Sequence, residues 1–405
     1  MVLGCALFGT ADSALAQGRE EFRKGIDLFE QGKYKDAESE LEKVLAANPS
    51  AEVALEMRNE AGAQVFIEML GRKGEPIATI ARKLLELAER GEAKEQQDPE
   101  KIQALIQQMF SDDDETSFRA MEELASQVGP FCAPYMVEHL AERRDNDKRV
   151  KAILLLSKLG PDGTNAVCAL LQHKDDFVRQ NAAAILGHIR DFKAIPYLKA
   201  LCEKRGESAH VQKEAALALK NITGKEASSL EPAIVYFHAL GERYYQEDPT
   251  VMINNFKQWT VWEWKDDKLT YRIVPRYSWN DEMAQECCYL AIDHAQGEGD
   301  LDPIYTLLVS VFFQRALEVN ELLAMAEEKG GAVDAADVEA LKAAKAKVDV
   351  LPYLARSRGE AQVAKALRKA LRDHRPTLAV SLIGALKELR MSETLLPADG
   401  ANLAS

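Results

Sequence analysis

The sequence predicts an all-α fold, an α-solenoid of stacked helix pairs that is interrupted by one short β-hairpin. Apolar residues recur at helical spacing over most of the 405 residues, and segments with this spacing repeat about every 30 residues. The hairpin is predicted from residues 259–279, WTVWEWKDDKLTYRIVPRYSW, which alternate apolar and polar side chains and contain all four tryptophans of the chain.

The composition indicates a globular protein that does not bind nucleic acid. Hydrophobic residues make up 47% and charged residues 29%, a balance typical of folded domains. The formal net charge is −14, whereas phosphate contacts need a basic surface. After the N-terminus, no apolar run reaches the length of about 18 residues that a membrane span needs, so we predict no membrane span.

Residues 1–16 are predicted to be a signal segment. The stretch MVLGCALFGTADSALAQ is apolar, and Ala14-Leu15-Ala16 forms a small-residue cleavage pattern before Gln17. No Lys or Arg precedes Arg19, although signal peptides usually begin with a basic region. The alternative is an apolar tail. On the cleavage pattern we predict export to the periplasm or cell envelope.

Residues 19–95 are predicted to form a first helical region. Small, apolar and turn-forming residues in 20–50 resemble the pattern of a tetratricopeptide (TPR) repeat: Gly25, Leu28, Gly32, Tyr34, Ala37, Leu41 and Pro49. A single repeat of this kind cannot bury its own apolar face, so it must stack on the helices that follow.

Residues 98–226 contain a second type of repeat. The clearest copy is 174–204, where residues 176–191 follow D-x-V-R-x-x-A-A-x-x-L-G-x-I-x-D. This pattern resembles a HEAT repeat of the type found in phycobilisome lyases. Weaker copies lie at 117–142, 148–172 and 209–224, the last with Gln212 where the clear copy has Arg179.

The remaining chain is predicted to form three segments. Residues 227–280 hold a helix and the Trp-rich hairpin, 281–350 a TPR-like helix pair with a connector, and 351–405 a HEAT-like pair that is predicted to continue beyond the chain end. Within 356–375, seven basic residues face two acidic ones. This basic segment is either a solvated helix face or a docking site for an acidic partner or a neighbouring domain.

No catalytic or metal-binding pattern is present in the sequence. It contains no P-loop, GxGxxG, GxSxG or HExxH motif, and its Cys and His residues lack zinc spacing. It also lacks the His-Glu dipeptides with which some HEAT-repeat hydroxylases bind iron. We therefore predict no catalytic residue, no metal site, no cofactor and no enzymatic activity.

The register of the hairpin follows if Asp266-Asp267 form the turn. The predicted pairs are Lys265 with Lys268, Trp264 with Leu269, Trp262 with Tyr271 and Thr260 with Ile273. Because side chains alternate between the faces of a strand, the aromatic residues share one face and the charged residues share the other. An isolated ribbon of two strands is marginal in water, so the aromatic face must pack on something.

Two interpretations of this aromatic face remain open. It either packs on the flanking helices, 229–247 and 281–295, and closes the junction between two helical arrays, or part of it lines a cleft for a peptide or sugar. The candidate binding residues are Trp259, Trp262, Trp264, Tyr271 and Trp279. In the second interpretation Trp259 and Trp279, which lie off the main face, are expected to be the exposed members.

The TPR and HEAT resemblances imply a non-enzymatic scaffold that binds protein or peptide partners, and mixed proteins of this kind recur among exported bacterial proteins. We expect partners on a concave face lined by the second helices of the HEAT pairs, around residues 177–189 and 210–221. The alternatives are a regulatory or assembly subunit for a cofactor-carrying protein, as in phycobilin lyases, or an accessory region of a larger protein. The sequence leaves the oligomeric state open.

Overall fold

The computed structural model describes residues 8–295, 297–329 and 335–395. Apart from one two-stranded antiparallel sheet, the regular structure of these residues is helical, which confirms the predicted fold class. The chain divides into two compact units, Met1–Phe131 and Cys132–Ser405. Residues 1–7 of the predicted signal segment, 330–334 of the connector and 396–405 of the last predicted pair lie outside the described residues.

The first unit is built from α-helices that pack on one another. They are α1 (Phe8–Glu30), α2 (Tyr34–Ala46), α3 (Ala51–Ala61), α4 (Ala63–Gly71), α5 (Pro76–Gln96), α6 (Pro99–Met109) and α7 (Asp114–Glu123). Gly25 lies where α1 crosses α2, and a Cβ atom there would stand only 2.6 Å from Leu41 Cγ. Gly32 takes a φ of +75° in the turn between the two helices, a conformation that costs glycine little.

The second unit begins with the HEAT-like helices. They are α8 (Ala133–Ala141), α9 (Asn146–Lys158), α10 (Thr164–Leu170), α11 (Asp176–Ile189), α12 (Ile195–Glu203) and α13 (Ala209–Thr223). Helices α9, α11 and α13 lie side by side, and a Cβ atom at Gly187 would be 3.0 Å from Ala218 Cα. The sequence interpretation of 177–189 and 210–221 as second helices is wrong, because these residues form α11 and α13, the first helix of each pair.

One hydrogen-bond arrangement recurs at each junction between HEAT pairs. A long side chain in the first turn of the first helix donates to backbone carbonyl oxygens at the end of the preceding helix or just after it. The donors and acceptors are Arg149 to Glu142, Arg179 to His173 and Lys174, and Gln212 to Cys202 and Lys204, over 2.7–3.4 Å. These carbonyl groups have no partner within their own helix, so the bonds join each pair to the next.

The rest of the second unit contains the hairpin strands β1 (Thr260–Lys265) and β2 (Lys268–Ile273) and, among the described residues, seven α-helices. Its helices are α14 (Ala233–Tyr245), α15 (Arg276–Asp293), α16 (Glu298–Lys329), α17 (Ala335–Val348), α18 (Leu351–Arg356), α19 (Glu360–Arg372) and α20 (Pro376–Leu395). Helices α14, α15, α16 and α19 share one apolar core. None of the described helices is long and apolar enough to cross a membrane.

The basic segment 356–375 binds neighbouring helices of its own unit. Lys369 is only 5% exposed, and its ammonium group lies 2.6 Å from Glu242 and 3.0 Å from Asp373. Arg375 donates to the carbonyl oxygen of Tyr245 over 2.6 Å. The interpretation as a solvated helix face is therefore wrong for Lys369 and Arg375, because groups on α14 (Glu242 and the Tyr245 carbonyl) and Asp373 after α19 bind these cations.

Candidate binding site

The hairpin has the predicted register. Thr260 pairs with Ile273, Trp262 with Tyr271, Trp264 with Leu269 and Lys265 with Lys268. The turn residues Asp266 and Asp267 have φ values of +51° and +58°. Two successive residues with positive φ form the turn that matches the right-handed twist of a two-residue hairpin, and Asp tolerates this region better than most side chains.

The hairpin packs mainly on the HEAT helices rather than on its flanking helices. Strand β1 contacts α10, and β2 contacts α8. The ring of Trp264 lies 4.5 Å from the imidazole of His173, centroid to centroid, and Lys174 forms a 2.7 Å ion pair with Asp267 in the turn. The predicted packing on 229–247 and 281–295 is therefore wrong for this part of the ribbon.

The segment that leads into the hairpin explains this position. Asp162, between α9 and α10, accepts hydrogen bonds from the backbone N–H of Asn255 over 3.1 Å and from its side-chain amide over 2.7 Å. The chain after α14 is thus attached to the HEAT helices before β1 begins. Because these contacts join residues far apart in sequence, no local pattern indicated them.

Two of the five candidate residues belong to the junction with α14 and α15. Trp279 is 5% exposed, its ring lies 5.4 Å from that of Tyr244 and 4.9 Å from that of Trp259, and its indole N–H donates to the Thr260 carbonyl oxygen over 2.9 Å. The expectation that Trp279 is exposed is wrong, because α15 already begins at Arg276 and turns this ring inward. Trp259 is half-buried.

The other three candidate residues form a partly exposed patch. Trp262, Trp264 and Tyr271 lie on one face of the ribbon and are each half-buried; we call these three side chains the hairpin aromatic patch. The rings of Trp262 and Tyr271 stand 4.8 Å apart, and the Trp262 indole N–H donates to the Thr260 hydroxyl over 2.9 Å. Leu269, on the same face, is buried and lies in β2, the strand that contacts α8.

Sequence reasoning missed two residues beside the patch, Tyr135 on α8 and His173 after α10. Burial raises the pKa of the Tyr271 phenol, and Tyr135 adds to this rise. Burial lowers the pKa of His173, so its imidazole is neutral at pH 7, and its Nδ1 atom accepts the Asp175 backbone N–H over 2.9 Å. Arg179 binds the His173 carbonyl group, so the HEAT motif itself positions this ring under Trp264.

The patch offers apolar ring surface and a few hydrogen-bonding groups. Among the side chains that the structure describes, no group of three or more His, Cys, Asp or Glu residues could hold a metal ion. Indole and phenol rings supply large contact areas, and they lose little conformational entropy when a partner covers them. Such an arrangement suits the binding of a peptide or protein surface.

Comparison with known proteins identifies repeats in the same part of the chain. Residues 133–220 match the family model of HEAT repeats. This range covers α8 through α12 and most of α13. No curated protein matches the chain. The chain therefore contains HEAT repeats within an all-α fold, and repeats of this family commonly act as scaffolds for protein interactions. The matched helices include those on which the hairpin packs.

Proposed function

We propose that this protein is a non-enzymatic scaffold of the bacterial cell envelope that binds a protein or peptide partner through the hairpin aromatic patch. The observation that carries the proposal is the partial exposure of Trp262, Trp264 and Tyr271 on a ribbon attached to HEAT helices. Clustered aromatic side chains that keep exposed surface are typical of the centre of protein interfaces.

The ribbon is held at both ends, which makes the patch a preorganised surface. Lys174 binds Asp267 at the turn, and Trp279 binds the Thr260 carbonyl oxygen at the open end. A binding surface that is already ordered loses less conformational entropy on association than a mobile loop does. Most of the free energy gained when a partner covers these aromatic rings is therefore available to the binding affinity.

Location in the cell envelope is supported by the Ala14-Leu15-Ala16 cleavage pattern. Cell fractionation of the full chain, with Ala14→Arg and Ala16→Arg as variants that remove the small residues, tests this part of the proposal. We expect the native chain in the periplasmic fraction and the double variant uncleaved in the membrane fraction, because the small residues are needed for removal of the signal segment. Recovery of both in the cytosol would refute the envelope location and leave the binding proposal untouched.

Partner binding is tested by affinity capture with the purified full chain from an envelope extract. We expect Trp262→Ala together with Trp264→Ala to weaken capture by about 30-fold, since a central aromatic anchor contributes on the order of 2 kcal/mol. The matched control is Tyr353→Ala, which removes an aromatic ring that is 67% exposed on α18. Far-ultraviolet circular dichroism of each variant shows whether the helices remain folded.

The identity of the captured proteins separates the candidate functions. A partner that carries a pigment or cofactor would favour an assembly subunit, whereas partners without one would favour a general scaffold. Capture that is unchanged in the double Trp variant, or lost equally in the Tyr353 control, would overturn the assignment of the patch as the binding site.

A further inference from the structure

Asp281 is a completely buried acid that lacks a hydrogen-bond partner. It lies in the second turn of α15, and none of its surface is exposed. Neither of its carboxyl oxygens has a hydrogen-bond partner. An ionised carboxylate in such surroundings is strongly destabilised, so the group must either keep its proton or gain access to water.

The charges that face Asp281 come from each element packed around it. Arg315 and Glu318 lie on α16, Glu247 follows α14, and Arg375 follows α19; all four act electrostatically on the Asp281 carboxyl group. Two carboxylates and two guanidinium groups cancel when Asp281 is neutral. Ionisation of Asp281 would leave one uncompensated negative charge in the core.

Other polar atoms around Asp281 are buried without partners as well. The Tyr245 hydroxyl and the Arg315 Nε atom have no hydrogen-bond partner. Burial, followed by the effect of Glu318, raises the pKa of Asp281 well above its usual range, although Arg315 and Arg375 oppose this rise. Burial likewise raises the pKa of Glu318. The junction is therefore stable with a proton on Asp281.

The same turns of α15 hold the hairpin in place. Trp279, two residues before Asp281, donates to Thr260 of β1. Glu282, the next residue, forms ion pairs with Arg272 of β2 and, over 3.0 Å, with Arg315 of α16. Any displacement of α15 that brings the Asp281 carboxyl group to water therefore also moves two attachments of the hairpin.

We propose that Asp281 is a proton-dependent latch: its neutral form keeps α15 packed and the hairpin attached, and loss of its proton releases the hairpin from α15. This inference rests on the proposed function only in taking the hairpin as the binding element. The latch keeps the hairpin aromatic patch ordered when Asp281 is protonated and leaves it less ordered when Asp281 is ionised.

The direction of the pH effect follows from proton linkage. In the released state Asp281 reaches water and has an ordinary carboxyl pKa, so this state binds fewer protons than the attached state. Raising the pH therefore favours release, by about tenfold per pH unit between the two pKa values. Below the ordinary pKa both states hold the proton and the equilibrium is independent of pH.

Hydrogen exchange of the hairpin amides in the full chain tests the latch without any partner. In the native protein we expect protection of residues 260–273, corrected for intrinsic base-catalysed exchange, to fall at least tenfold from about pH 5 to about pH 8. Asp281→Asn keeps the shape but cannot ionise, so its protection should stay constant. Glu231→Gln, an exposed acid just before α14 that does not face Asp281, should behave like the native chain.

Two results would overturn the latch. One is hairpin protection in the native chain that does not change with pH; the other is an equal change in Asp281→Asn. If Asp281→Asn does not fold, infrared difference spectroscopy of the native chain and of Glu318→Gln tests the latch instead. The latch requires a protonated carboxyl band that is still present in Glu318→Gln at neutral pH. This band must disappear as the hairpin loses protection. Failure of partner capture would not alter these readings, so the two proposals can fail separately.

Discussion

The indole N–H of Trp279 donates to the backbone carbonyl oxygen of Thr260 over 2.9 Å, and this bond joins α15 to the first residue of the hairpin. The donor ring is buried between Tyr244 and Trp259. A single tryptophan thus belongs both to the helical core and to the attachment of the ribbon.

Replacing Trp279 with Phe should separate these two roles. The variant keeps an aromatic ring but loses the donor, so we expect the free energy of unfolding to fall by about 2 kcal/mol, from the unpaired carbonyl group and the smaller ring. Denaturant titration measures this loss. Trp264→Phe makes the same change at a partly exposed ring and should cost less; equal losses would contradict a special role for the Trp279 bond.

Arg179→Gln should weaken the HEAT array in a pH-dependent manner. Arg179 pairs with Glu207, whose side chain has 0% exposure. Burial disfavours the ionised form of Glu207, but hydrogen bonds from Arg179, Ser208 and Lys204 outweigh it and lower its pKa to about 2. We expect a loss of about 3 kcal/mol at pH 7, because a buried charge loses a partner.

The sign of the pH dependence follows from the lowered pKa. An ionised Glu207 stabilises the fold above its ordinary pKa, and this contribution disappears as the pH falls toward about 2. The difference between native chain and Arg179→Gln, measured by urea unfolding, should therefore shrink with acidification. Arg205→Gln, an exposed arginine in the loop before α13, is the control. A difference that stays constant down to low pH would refute the role of this ion pair.

Lys369→Met should loosen α19 from α14. The buried ammonium group lies between Glu242 and Asp373, and its removal leaves two carboxylates close together without their cation. We expect a loss of about 3 kcal/mol at neutral pH, measured by thermal unfolding. Arg368→Met, the exposed preceding residue, should change stability by less than about 0.5 kcal/mol. Similar effects of both variants would show that Lys369 does not hold the helices together.

The cysteines should differ sharply in reactivity. The five described cysteines are free thiols; Cys202 is partly exposed and the other four are buried. Burial raises the pKa of Cys132 to about 12, and the reactive thiolate is correspondingly scarce. With Cys5→Ser, we expect a disulfide reagent to label Cys202 first and Cys132, Cys168, Cys287 and Cys288 only after unfolding. Rapid labelling of more than one thiol in the native protein would disagree with this burial.

Short-range patterns were sufficient to predict the fold class and the register of the hairpin. The alternation around Asp266-Asp267 gave the strand pairing because side-chain direction has a period of two, and the motif at 176–191 identified α11 because its apolar positions form one helical face. In the weaker copy at 148–172, however, the apolar residue Val150 is 41% exposed. Arg149 occupies the place of Arg179, so the buried residues lie elsewhere along that helix.

Contacts between distant segments could not be predicted from such patterns. Nothing local joins Trp264 to His173, or Asn255 to Asp162. The burial of Asp281 was equally hidden: in the stretch DEMAQECC the neighbouring acid Glu282 looks equivalent, and only the packing of α16 and Arg375 against α15 decides which of the two faces inward. The candidate residues were therefore identified by type, while their division into two rings at the junction with α15 and a partly exposed patch required the structure.

The 93-residue separation between Lys174 and Asp267 also bears on the order in which the chain folds during synthesis. Helices α8 to α13 leave the ribosome well before the ribbon that covers part of α8 and α10, and contacts between distant segments form late in folding. Until residue 279 has emerged, the surfaces of α8 and α10 that the hairpin covers are exposed, and chaperones or other chains can bind them. A nascent chain arrested at about residue 255 should therefore bind ribosome-associated chaperones more strongly than a chain arrested after α15.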